Sequence, residues 1–207
     1  MKVAIIGATG FVGAALVNEF SHRGHRATAI SRHPKQTQPE GVTAVKADIF
    51  DTDDLAKILE GHDVVISAYN PGWTNPDIYV DYLKGAESIQ KAVKKAGVSR
   101  FIVIGGAGSL YVAPGLQLID TPKFPEDFKP GANAVRKYLK TLQDEKELDW
   151  VFFSPAIEMH PGITAGRTGN YRLGFDSPVF DDNHRNTLSV EDLSLIHISE
   201  PTRRTPI

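Results

Sequence analysis

Lys2-Val-Ala-Ile-Ile-Gly-Ala-Thr-Gly-Phe-Val-Gly13 is the stretch on which the fold turns. Lys2–Ile6 is a short, β-branched apolar run that reads as a buried strand. Residues 11–23 read as a helix with Phe11, Ala14, Ala15 and Val17 turned inward. Between the two stand Gly7, Gly10 and Gly13. Gly7 permits a tight turn off the strand, Gly10 lets the backbone approach a pyrophosphate, and Gly13 permits close helix–strand contact. The N–H groups near Phe11 and Val12, with the positive end of the helix dipole, then form an anion site. A glycine triplet alone also suits a bare turn. Set between a strand and a helix, it predicts dinucleotide binding.

Outward from this turn, short apolar runs alternate with longer amphipathic ones. Residues 27–31, 42–47, 63–67, 100–104 and 150–153 read as strands, and 51–59, 77–96 and 132–146 as helices. Strands apolar on both faces and separated by helices imply a parallel sheet covered on both sides. The predicted class is therefore α/β: a doubly wound parallel sheet of Rossmann type, order 3-2-1-4-5-6, with a small C-terminal cap. Residues 1–193 form the nucleotide-binding domain, and 154–190 within it a rudimentary substrate cap. Residues 105–131 are a long Gly/Pro-rich connection, a length usually reserved for functional or mobile loops. From residue 194 the helical spacing fails and Pro201 would stop a helix. Residues 194–207 read as a non-native tail that resembles a translated sequencing adapter and replaces a C-terminal helix.

Composition narrows the partners. The chain has 207 residues, 41% hydrophobic and 23% charged, with a net charge of −2 and no cysteine. Disulfides, thiolate nucleophiles and Cys-ligated metals are excluded, and the near-neutral balance argues against nucleic acid or a membrane surface. No apolar run reaches the roughly 20 residues of a membrane span. A cytoplasmic monomer or homodimer acting on a small molecule is expected. The histidines form no i, i+4 pair and no carboxylate cluster, so no metal site is expected.

Further signatures sharpen the reading. Besides residues 7–13 there are Lys-Ala-Asp-Ile-Phe-Asp (46–51), Asp-Val-Val-Ile-Ser-Ala (63–68), Val-Ser-Arg-Phe-Ile-Val-Ile-Gly-Gly-Ala-Gly-Ser (98–109) and Leu-Asp-Trp-Val-Phe-Phe-Ser-Pro-Ala (148–156). This set resembles the NAD(P)H-binding branch of the atypical and extended short-chain dehydrogenase/reductase superfamily, whose members are labelled NADH-flavin reductase or NAD-dependent epimerase/dehydratase. They are relatives of biliverdin reductase B and NmrA-like proteins. The resemblance implies a cofactor groove of Gly7, Thr9, Gly10, Phe11, Val12 and Gly13, then Arg32 and His33 after strand two, and Asp48 and Ile49 beside adenine. It continues through Ala68, Tyr69 and Asn70, Gly105, Gly106 and Ala107, and Ser154 and Pro155.

Strand two ends without a carboxylate to accept a ribose 2′-OH. The planar fork of Arg32 suits a 2′-phosphate, so NADP(H) is favoured over NAD(H); the alternative is an exposed loop arginine. The superfamily's acid/base motif, Tyr-x-x-x-Lys, is missing. Four residues beyond each of the 6 tyrosines stand Trp73, Leu83, Ala86, Gly115, Leu142 and Phe175. Ser109 and Tyr111 are the remaining catalytic candidates, with Trp73 and His160 as substrate contacts, though each also suits ordinary loop packing. The expected function is hydride transfer from a nicotinamide to a planar acceptor such as flavin. The alternatives are an NADP(H)-sensing regulator without turnover, and a nucleotide-sugar epimerase or dehydratase, which the missing tyrosine disfavours.

Overall fold

The computed structural model describes residues 1–199. Its strands are β1 (Lys2–Ile6), β2 (Arg26–Ser31), β3 (Val42–Lys46), β4 (Val64–Ser67) and β5 (Arg100–Ile104), then a short antiparallel pair, β6 (Tyr111–Ala113) and β7 (Leu116–Gln117), and finally β8 (Asp149–Phe153). All but the short pair form one sheet in the order β3-β2-β1-β4-β5-β8, every pairing parallel. With β8 as the sixth strand of the sheet, this is the order expected of the doubly wound fold.

Alternation along each strand divides the core. Val3 and Ile5 join Ala27, Ala29, Ile66 and Ile102 on the face covered by α1 (Phe11–His22). Ala4 and Ile6 join Ile30, Val65, Phe101 and Val103 on the opposite face. That face is covered by α2 (Thr52–Leu59), α3 (Ile78–Lys95) and α4 (Lys129–Gln143). A strand buried on both faces has no polar period, so continuous apolar runs are what a sheet of this kind requires. Among the described residues no helix is long and apolar enough to cross a membrane.

Four features depart from expectation or refine it. Phe11 does not face inward; it is 42% exposed. The buried stripe of α1 is Gly13, Leu16, Val17 and Phe20, and at 3.6 residues per turn Phe11 falls on the opposite side of the helix from Gly13. The connection over 105–131 is not one open loop, because β6 and β7 form a hairpin turned at Pro114-Gly115, where Gly115 has φ +74°. The cap over 154–189 carries no strand beyond a single parallel bridge between Glu158 and Thr187. Finally, helical structure persists past residue 194: α5 spans Val190–Ser199, with Leu193 and Leu195 buried and the helix packed along α1. The rest of the segment expected to be a non-native tail, 200–207, lies outside the described residues.

Candidate functional site

The turn after β1 is built so that nothing but glycine fits it. Gly7 has φ +81°, and a Cβ there would stand 2.6 Å from the Ala68 carbonyl oxygen at the end of β4. A Cβ on Gly13 would stand 2.1 Å from the Gly7 carbonyl oxygen. Helix, turn and neighbouring strand are thus pressed together backbone to backbone. Gly10 is the helix N-cap; it supplies no side-chain cap, and the first turn of α1 holds no acidic residue. The N–H of Gly10 is donated to Gly7, while Thr9, Gly10 and Phe11 are exposed. An anion placed there meets open N–H donors and the helix dipole without a competing carboxylate.

At the end of β2 the Ser31 hydroxyl is buried with no hydrogen-bond partner among the described residues. It lines a cleft of about 380 Å3 bounded by Ala14, Val17 and Asn18 of α1 and by the 34–39 segment. Arg32 beside it is exposed and forms no ion pair among the described residues. A cradle that excludes any Cβ, an uncapped helix start, an orphaned hydroxyl and a free guanidinium fit a phosphorylated dinucleotide.

Other expected contacts take more varied places. Asp48 is exposed and accepts the Phe50 N–H at 3.0 Å in a local turn. Ile49 is a core residue, 8% exposed, whose carbonyl accepts from Ser88; its side chain packs toward α3 rather than into an open groove. Tyr69 is likewise drawn into the scaffold. Its hydroxyl donates to the Asp81 carbonyl at 3.0 Å, and its ring stacks on Tyr82. Burial, with the Asp81 and Asp48 charges, pushes its pKa up to about 12 against the opposing pull of Arg32. A hydroxyl so held stays protonated and is already donated, so Tyr69 positions the loop after β4 rather than exchanging protons. Asn70 accepts the Gly72 N–H, and Trp73, 53% exposed, sits edge-on to Phe128 at 5.3 Å.

The sheet order sets the turns after β1, β4, β5 and β8 in a row. After β5, Gly105 presses on the Phe152 ring so closely that a Cβ would meet it at 2.1 Å. Gly106, Ala107 and Ser109 form a short 3-10 turn in which the Ser109 hydroxyl donates to Gly106 at 3.2 Å. It also lies 3.4 Å from the Ser154 hydroxyl at the end of β8. Ser109 and Ser154 are thus brought together, and Ser154 and Pro155 open onto a second cleft of about 660 Å3 beneath the cap. Tyr111 stands on the hairpin, 43% exposed, with its N–H donated to Asp176 of the cap. His33 is exposed. His160 is not brought to this cleft; exposed, it accepts the Gly162 N–H at 3.1 Å and closes a local turn. Tyr138, the tyrosine of α4, is buried with its hydroxyl donated to Gln90, and burial drives its pKa up further still. The one tyrosine of α4 therefore does not stand free.

Sequence reasoning missed the latch that holds the cap. Asp192, in the first turn of α5, accepts the N–H groups of Thr168 and Gly169, both at 2.9 Å, and the Thr168 hydroxyl. Arg167 reaches Glu19 of α1 at 3.1 Å, where Arg23 already binds. These two arginines, Arg167 foremost, hold the Glu19 carboxyl below its ordinary range against the cost of burial. The run Thr168-Gly169-Asn170 was the available signal, since such residues favour turns with local acceptors.

Comparison with known proteins places these features in a wider set. A family model described as NAD(P)H-binding matches residues 7–198. The crystal structure of a candidate epimerase from Bacteroides thetaiotaomicron superposes with a TM-score of 0.87 at 44% identity, over 97% of this chain and 92% of that one. A candidate NADH-flavin reductase from Streptococcus pneumoniae gives 0.81 at 37% identity, over 96% and 91%. The Bacillus subtilis protein YwnB, itself uncharacterised, is 33% identical over 97% of this chain and 92% of its own length.

Proposed function

This chain belongs to the NAD(P)H-binding family, and from that premise we propose that it is a reductase of the atypical short-chain type, with NADPH as donor and a planar acceptor such as flavin. The observation that carries the reading is the row of strand ends. It runs from an uncapped helix start and a free Arg32 to a roomy cleft with no positioned tyrosine–lysine pair. The likeness to a candidate flavin reductase supports it. When bound, the nicotinamide supplies two electrons as a hydride. The chain's own work is then orientation. The Gly7–Gly13 cradle would hold the pyrophosphate, Arg32 and Ser31 a 2′-phosphate, and the β5 and β8 turns with the cap the acceptor. An acceptor that carries its own electron sink needs no enzymic tyrosine; water or the Ser109–Ser154 hydroxyl pair delivers the final proton. Epimerisation and dehydration are disfavoured because the sequence lacks the Tyr-x-x-x-Lys motif.

The test is oxidation of NADPH by the purified chain with and without FMN, against NADH, in wild type and Arg32→Ala. Flavin-dependent turnover that prefers NADPH and loses that preference in the variant supports the reading. Tight NADPH binding with no turnover on any flavin replaces it with the sensor, which the absent tyrosine also fits.

A further inference from the structure

The cap cleft leaves one of its charged side chains without a partner. Two charged side chains line it, Asp192 and Arg172. Asp192 accepts the Thr168 and Gly169 donors, so its oxygens are already engaged within the chain. Arg172 is different. The cap's other arginines are bound to carboxylates, Arg167 to Glu19 and Arg185 to Glu158, whereas Arg172 makes no hydrogen bond or ion pair among the described residues. The carboxylate that feels its charge, Asp181, already accepts the Asn183 and Arg185 N–H groups. Around Arg172 the lining mixes apolar surface from Leu110, Phe153, Leu173 and Phe175 with hydroxyl and amide groups. A volume of about 660 Å3 lies within the range of small-molecule sites, roughly 300–1,000 Å3.

Resting on the reductase reading, we infer that the acceptor bears an acidic group, a phosphate or a carboxylate, and that Arg172 is the specificity residue that recognises it. The apolar lining takes the planar ring. An unpaired guanidinium presents a planar fork of donors matched to either oxyanion, and the oxygens of Asp192, the carboxylate that lines the same cleft, are engaged by Thr168 and Gly169 instead. A neutral ring of the same shape fills the same apolar space but leaves Arg172 without a partner.

FMN and riboflavin make the test pair, since they share one ring and differ by the phosphate. Their binding to the full chain loaded with NADP+ is followed by quenching of flavin fluorescence, a readout free of turnover. FMN is expected to bind about tenfold tighter than riboflavin, as for a hydrogen bond to a charged group. Arg172→Gln should bring the two together without change in NADP+ affinity, and Arg172→Lys should retain part of the preference. A flavin carrying a carboxymethyl group in place of the ribityl phosphate separates the two anion sources. Binding like FMN assigns the wider acidic class, and binding like riboflavin narrows it to phosphate. Equal binding of FMN and riboflavin overturns the inference, and so does an Arg172→Gln variant that loses NADP+ affinity while keeping the flavin preference. Turnover is read separately. Equal NADPH-driven reduction of both flavins, unchanged in Arg172→Gln, keeps the reductase reading and discards the anion site. Discrimination in binding with no reduction of either flavin does the reverse.

Discussion

At Gly13 the space for a side chain is already filled by the Gly7 carbonyl, 2.1 Å from where a Cβ would stand. Neither partner can give way, because both are backbone and Gly7 is itself fixed against Ala68. Gly13→Ala should therefore abolish NADPH binding, measured by nicotinamide fluorescence titration, and lower the melting temperature as well. Arg32→Ala should behave in the opposite manner. The residue is exposed and unpaired among the described residues, so its loss should leave the melting temperature unchanged while weakening NADPH binding by about tenfold and NADH binding very little. An equal loss for both cofactors would remove Arg32 from the 2′-phosphate. The glycine could be read from sequence, since only that residue type fits its position, and Arg32 stands exposed where the sequence put it. Ile49 and Tyr69 could not be read so, because an apolar or aromatic side chain after a strand serves groove and core equally well.

At the scale of elements, α2 and β4 are tied down by polar contacts of unequal visibility. Asp51 caps α2 by accepting the Asp54 N–H at 3.0 Å, where the sequence leaves the cap open between Asp51 and Thr52. Asp51→Ala should cost about 1 kcal/mol, read by chemical denaturation. His62 is less visible. It is 8% exposed, with Nδ1 at 2.9 Å from the Leu59 carbonyl and Nε2 at 2.7 Å from the Thr28 hydroxyl. With Nδ1 donating, Nε2 accepts from Thr28, so the neutral ring is the form that fits, and burial lowers its pKa below the ordinary 6.5. The sign follows. Above about pH 6.5 neither folded nor unfolded His62 carries the proton, and stability is unaffected. Below it the unfolded chain takes up a proton that the folded one resists, so stability falls with pH. Unfolding free energy measured between about pH 7 and pH 5 should slope downward, and His62→Asn should flatten that slope. The same contrast runs through the elements generally. The strands of the sheet were legible because burial on both faces leaves continuous apolar runs. The β6–β7 hairpin was hidden inside a Gly/Pro-rich stretch, although Pro114-Gly115 was its turn signal.

In the whole molecule the cap is joined to the sheet domain by side chains far apart in sequence, and the turn-forming run Thr168-Gly169-Asn170 marks one end of the join without naming its partner. Glu19 receives Arg167 across 148 residues, and Asp192 gathers the 168–169 turn. Asp192→Ala removes those acceptors at once. The expected result is faster hydrogen exchange and proteolysis over residues 163–175 and a higher KM for the acceptor, with cofactor affinity kept because the glycine turn is untouched. Protection of the cap equal to wild type would show that the latch is dispensable. Glu19 adds a pH dependence of its own. Its carboxyl is held below the ordinary 4.5, so its contribution is complete above that value and fades as acid protonates it.

The chain holds 2 tryptophans, and their placement gives the protein an optical gauge of its own. Trp150 lies half-buried on the outermost strand, far along the sheet from the glycine turn. Trp73 stands in the loop after β4, 53% exposed and edge-on to Phe128. Indole emission overlaps the absorption of reduced nicotinamide but not of its oxidised form. Excitation of the unlabelled protein should therefore distinguish the two redox states of a bound cofactor, and a Trp73→Phe variant tells how much of that signal comes from the loop after β4.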